Sequence, residues 1–179
     1  MPVFDCHIWL GGSIVPGMAQ SVETLAHHME QAGIERALVF SAHARLVDPL
    51  AGNRLVRAVV DRSPALFGCL IGHLNRPESS VNAMREMMTS RRFLALAVMG
   101  RNPEEPVTRA AADELLNAYR RYTKPIMVYA LNAASVQGAL DIARAYPMLR
   151  VVMLGMGGRD WREGIRAAHT ATNIVLETS

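Results

Sequence analysis

The chain has 179 residues, 50% of them hydrophobic and 20% charged, the balance of an ordinary globular domain with a sizeable core. The net charge is +3 and Lys124 is the only lysine. Arginines alternate with acids instead of forming a basic stripe between aromatics, which argues against nucleic acid as a partner. No apolar run approaches membrane-spanning length and no charged-then-apolar leader opens the chain, so a cytoplasmic location and no membrane contact are expected.

The first element is Val3-Phe4-Asp5-Cys6-His7-Ile8-Trp9-Leu10, closed by Gly11-Gly12. It reads as a buried strand running into a tight loop. Side chains alternate along a strand, so Asp5, His7 and Trp9 are expected on one face and Phe4, Cys6 and Ile8 on the other. A buried acid needs partners. Asp5 and His7 either satisfy each other and nearby amides or form part of a site.

A loop over residues 11–20 leads to a helix with Ser21 as cap, Glu23 at its positive end and Gly33 as its stop. Residues 37–41 form an apolar second strand of the kind found in covered parallel sheets. A helix over 53–62 is expected to bury Leu55, Val56, Val59 and Val60. A third strand at 66–72 and a helix at 79–90 follow; Met84, Met87 and Met88 read as core filling. Strands at 93–99, 125–130, 149–154 and 174–177 alternate with helices capped by Thr108, starting near Ala134, and opened by a capping box at Asp160-Trp161-Arg162-Glu163. Cys6 and Cys69 both fall in strands and read as small buried residues rather than a disulfide or zinc pair.

Regular strand-helix alternation predicts an α/β fold with a parallel sheet. A doubly wound sheet would carry a glycine-rich phosphate loop after its first strand, and Gly11-Gly12-Ser13 does not supply one. A closed barrel needs eight strands over about 250 residues. Seven fit here, so the expectation is an incomplete TIM-like barrel, a single domain over residues 1–179 truncated before the eighth strand. Unpaired strands at the gap would favour self-association, and a homo-oligomer is expected.

Asp5-Cys6-His7-Ile8-Trp9-Leu10-Gly11 resembles the opening strand of the amidohydrolase-related metal-dependent hydrolases and decarboxylases, which read Asp-x-His-x-His. Further stretches are similar in order: Arg62-Ser63-Pro64-Ala65-Leu66-Phe67-Gly68, Phe93-Leu94-Ala95-Leu96-Ala97-Val98, Lys124-Pro125-Ile126-Met127-Val128-Tyr129, the run from Tyr146-Pro147 to Gly157-Gly158, and Asn173-Ile174-Val175-Leu176-Glu177-Thr178-Ser179. The resemblance implies a TIM barrel and a zinc or similar divalent ion. Its ligands would be two histidines of strand one, a histidine ending strand five, often one ending strand six, and an aspartate after strand eight. Those places hold His7, Trp9, Tyr129, Gly155 and no residue. One histidine cannot grip zinc, and indole offers no lone pair.

A different set is conceivable. His43 and His73 follow the second and third strands, and barrel sites gather at the carboxyl ends of strands. His7, His43 and His73 could hold zinc or serve as acid/base groups; the alternative is that His43 and His73 are exposed loop residues. Trp9, Arg101, Asn75 and Glu177 are candidate substrate contacts, and His7, Asp5 and Tyr129 candidate catalytic groups, with Asp5 orienting His7. Three functions stay open: a hydrolase-type member acting on a small organic substrate such as a carboxylic acid, lactone or amide with a degenerate metal site; an inactive relative kept for binding or assembly; and a fragment of a longer hydrolase.

Overall fold

The computed structural model describes residues 2–12, 19–100 and 105–178. Its contacts divide the chain into two units, residues 1–71 with 82–94 and residues 72–81 with 95–179.

In the first unit β1 (Val3–Leu10) pairs in parallel with β2 (Ile34–Ser41), and β2 with β3 (Leu66–His73). The helix α1 (Val22–Ala32) starts and stops where the sequence predicts. Ser21 Oγ accepts the Thr24 N–H at 3.1 Å, and Gly33, at φ +66°, takes the left-handed turn that lets its own N–H close on the Glu30 carbonyl.

Several expectations in this unit need correction. β1 is half-buried rather than buried, with Val3 47% and Phe4 45% exposed. Its pairing with β2 also slips: Asp5 faces Ala37 while Ile8 faces Val39, so three steps on β1 span two on β2. A bulge of this kind breaks strict alternation and re-aims side chains, so the simple two-face division of Asp5 to Trp9 does not hold. The sequence reading also missed a short helix, α2 (Ala42–Leu46), capped by Ser41 Oγ accepting the Ala44 N–H at 3.0 Å; His43 is therefore helical and half-buried.

The next helix, α3 (Pro49–Val60), begins earlier than expected because Asp48 accepts the Ala51 N–H at 2.7 Å and Pro49 suits a first helical position. It buries Gly52, Asn53, Val56 and Val60. Leu55 is 57% exposed, since it lies about 100° around the helix from Val56. A Cβ on Gly52 would come within 2.1 Å of the Ala44 nitrogen, so glycine is what lets α3 touch α2. Asn53 bonds both backbone groups of Ile71, at 2.8 Å each, and so ties α3 to β3. The helix α4 (Pro77–Met87) has residues in both units; Met84, Met87 and Met88 are fully buried, as core filling requires.

The second unit carries β4 (Phe93–Met99, from Ala95 onward), β5 (Ile126–Tyr129), β6 (Val151–Leu154) and β7 (Ile174–Leu176), paired in parallel in that order. Leu96, Ala97, Val98, Ile126, Val128, Val151 and Met153 are wholly buried, which explains why these strands are apolar throughout. Helices α5 (Arg109–Tyr119), α6 (Ala133–Ala145) and α7 (Trp161–Thr170) complete the alternation. The expected capping box at Asp160 does not form. An N-cap needs extended backbone, and Asp160 sits at φ −103°, ψ 34°. Its carboxylate instead accepts the Ala133 N–H, at 2.8 Å, in the first turn of α6. Cys69 is buried and Cys6 half-buried.

Candidate functional site

In the first unit the polar end of β1 is built around a ring cluster. Trp9 and Phe40 occupy paired positions of β1 and β2, and their rings lie 5.3 Å apart at 48°. His7 meets the same Phe40 ring edge-on at 4.9 Å and lies 6.1 Å from Trp9. Phe40 is fully buried, so it forms the floor on which both rings rest. The guanidinium of Arg45, from α2, stacks over the indole at 5.3 Å. Asp5 does reach His7, but through the main chain: its Oδ1 accepts the His7 N–H at 3.0 Å. That bond fixes the backbone at the bulge. His43 lies in α2, where its carbonyl accepts the N–H of Val47 at 2.9 Å.

In the second unit His73 ends β3. Its main-chain N–H donates to Ser80 Oγ at 2.8 Å, and its Nδ1 accepts the Asn75 N–H at 3.2 Å. Asn75 thus serves, through its backbone, to hold the imidazole of His73. Tyr129 ends β5 half-buried, opposite Leu154 of β6. Glu177 follows β7, and its carboxylate accepts the Gly155 N–H at 3.3 Å. Gly155, Met156, Gly157 and Gly158 all have positive φ, and this turn is packed by backbone: a Cβ on Gly158 would lie 2.5 Å from the Leu131 carbonyl oxygen. Arg101 lies outside the described residues. At the opposite end of β5, burial pushes the Lys124 ammonium below its ordinary range.

Among the described residues, the donors of each unit taken by itself do not make up a divalent-ion site. Trp9 stands where the resemblance expects a second imidazole, and indole has no lone pair to give. A metal-bound histidine donates its other ring N–H to a neighbour, whereas Nδ1 of His73 accepts a hydrogen bond. Among the described residues no group of three or more His, Cys, Asp or Glu could hold a metal ion. No described helix is long and apolar enough to cross a membrane.

Phe40, Arg45 and Ser80 escaped the sequence reading as site residues. Phe40 and Arg45 carried one signal, aromatic and basic residues flanking the end of the second strand, but only β1–β2 pairing turns them toward Trp9.

Comparison with known proteins bears on this arrangement. A family model described as amidohydrolase matches residues 4–179. No curated protein matches the sequence. Among solved structures, an uncharacterized TIM-barrel protein from Bordetella bronchiseptica superposes with a TM-score of 0.74 at 14% identity, over 100% of this chain and 75% of that one. A 5-carboxyvanillate decarboxylase from Novosphingobium aromaticivorans, complexed with manganese and 4-hydroxy-3-methoxy-5-nitrobenzoic acid, gives 0.72 at 10% identity, over 94% and 69%. A 4-oxalomesaconate hydratase from Rhodopseudomonas palustris gives 0.71 at 14% identity, over 98% and 73%. At these identities the likeness is one of fold: α/β, TIM-barrel-like, with seven parallel strands among the described residues where a complete barrel has eight.

Proposed function

The chain belongs to the amidohydrolase family, matched over residues 4–179, and from that premise we propose that it captures a small planar organic acid without a resident metal. The observation that carries this reading is Trp9, which stands where the resemblance expects a ligating imidazole and meets both the Phe40 ring and the Arg45 guanidinium. Among the described residues no group of three or more His, Cys, Asp or Glu could seat a divalent ion of the kind named for the decarboxylase complex, manganese, or zinc. The His7, His43 and His73 set was the expected alternative, and the Asn75 hydrogen bond to His73 speaks against it.

The chemistry of the ring cluster suits such an acid. An indole face binds a flat ring by offset stacking. A guanidinium stacked on an aromatic face meets a carboxylate edge-on through its in-plane N–H groups. In this reading His7 is the proton-exchanging group, and Asp5 sets the backbone that carries it.

The test is calorimetric titration with benzoate and its hydroxylated derivatives, with and without a chelator. Saturable binding that survives the chelator and is lost in Trp9→Ala and Arg45→Ala supports the reading. Binding that requires added metal, or that persists in both variants, overturns it.

A further inference from the structure

At the amino ends of β2 and β3 the first unit holds a cleft of about 240 Å³. One wall is α1, whose Val22, Ala26 and Met29 recur at the spacing of a single helix face. The other is the start of the sheet, with Ile34, Ala65 and Leu66. Ala26 and Ala65 carry only a methyl group each, which leaves space between helix and sheet. The segment that carries Ser63 and Leu66 is pinned: the Arg92 guanidinium donates to the carbonyls of Val60, Ser63 and Leu66 and stacks on the Phe67 ring at 4.7 Å. The cleft is therefore formed before any ligand arrives.

Two carboxylates stand on these apolar walls, Glu30 near the end of α1 and Glu35 in β2. In a regular strand Ile34 and Glu35 would point to opposite sides. They line the same cleft because β2 bulges there: Val3 faces Ile34 and Phe4 faces Arg36, so Glu35 has no opposite number on β1. Among the described residues neither carboxylate enters a salt bridge, and no arginine, lysine or histidine lines the cleft. The nearby charge of Arg92 is already met by three carbonyls.

We propose that this cleft binds a small primary ammonium with an apolar body, an arylalkylamine or alkylamine, its hydrocarbon against Ala26, Met29 and Leu66 and its charged head between Glu30 and Glu35. An ammonium has three N–H donors, and Ser63 is the third polar residue of the lining. A divalent ion would need more oxygen ligands than two carboxylates and a hydroxyl supply, and an anion would meet two like charges. The cleft is smaller than a pocket for a drug-sized ligand, so the body is one ring or a short chain. Ile34 and Phe40 are six residues apart on β2, about 20 Å, so this site is separate from the ring cluster and the inference is independent of the acid-binding reading above.

The experiment is calorimetric titration of the full chain in amine-free phosphate buffer, with phenethylamine as the probe and phenethyl alcohol as its neutral counterpart. One saturable site for the amine is expected, about tenfold or more tighter than for the alcohol, since only the ammonium gains charge-assisted hydrogen bonds. Glu30→Gln combined with Glu35→Gln should remove that preference, Ala26→Leu should fill the cleft and abolish binding, and Trp9→Ala should leave binding unchanged. Both glutamates are exposed, so the paired variant keeps its fold, checked by circular dichroism; should Ala26→Leu disturb the fold, the paired variant decides alone. No saturable binding of phenethylamine, equal affinity for the alcohol, a preference that survives the paired variant, binding undiminished in a folded Ala26→Leu, or binding lost in Trp9→Ala overturns the proposal.

Discussion

Trp9 and Phe40 face each other across the β1–β2 pair with ring centroids 5.3 Å apart. Phe40 is 0% exposed and also receives the His7 ring at 4.9 Å. Replacing it by alanine removes a fully buried ring and leaves a cavity under both neighbours. Phe40→Ala is expected to cost about 3–5 kcal/mol, read as a lower urea midpoint.

Asn53 presents a second case in which one side chain serves two elements. Its amide donates to the Ile71 carbonyl and accepts the Ile71 N–H, both at 2.8 Å, from a fully buried position. Asn53→Ala keeps a good helix former in α3 but leaves two backbone groups of β3 without partners. Each buried orphan costs about 1–3 kcal/mol, so a loss of roughly 3 kcal/mol in chemical denaturation is expected. Asn53→Asp should restore at most the bond from the Ile71 N–H.

Local signals were the legible part of this fold. Ser21 and Gly33 marked α1 because caps act within a turn of their own position, and the apolar run from Phe93 to Met99 gave β4 to the residue. Features set by distant contacts were not. Asp160 has the sequence of a cap for α7 but serves α6, because the positive-φ turn from Gly155 to Gly158 decides where it points. The β1 bulge comes from pairing with β2, and an isolated strand pattern does not show it. At the site, His7 and Trp9 were legible as a pair on one strand, whereas the roles of Phe40 and Arg45 depend on elements brought in by the pairing.

That turn makes its own prediction. Gly158 combines φ +54° with a backbone oxygen 2.5 Å from where a Cβ would be, and a carbonyl cannot swing aside as a side chain can. Gly158→Ala is expected to lose about 1–3 kcal/mol. The adjoining hydrogen bond from the Gly155 N–H to Glu177 should weaken with it, visible as faster amide exchange at Gly155.

A pH limb should appear on the alkaline side. Burial, and then the hydrogen bond to Asp113, raise the Tyr146 hydroxyl above its ordinary value. A raised pKa in the folded state stabilises below the unfolded value, about 10, and the stability is lost as pH rises through the folded value. Tyr146→Phe should therefore remove part of the decline in melting temperature above that pH. At neutral pH it should cost about 1 kcal/mol for the lost hydrogen bond.

The central claim is that this member of the family has an aromatic floor where a metal would be gripped. The direct measurement is metal content after the protein is equilibrated with excess zinc or manganese and freed of unbound ion by gel filtration. Far less than one equivalent per chain, with no rise in melting temperature, is the result predicted. One equivalent retained by the wild type and lost in His7→Ala would contradict the account.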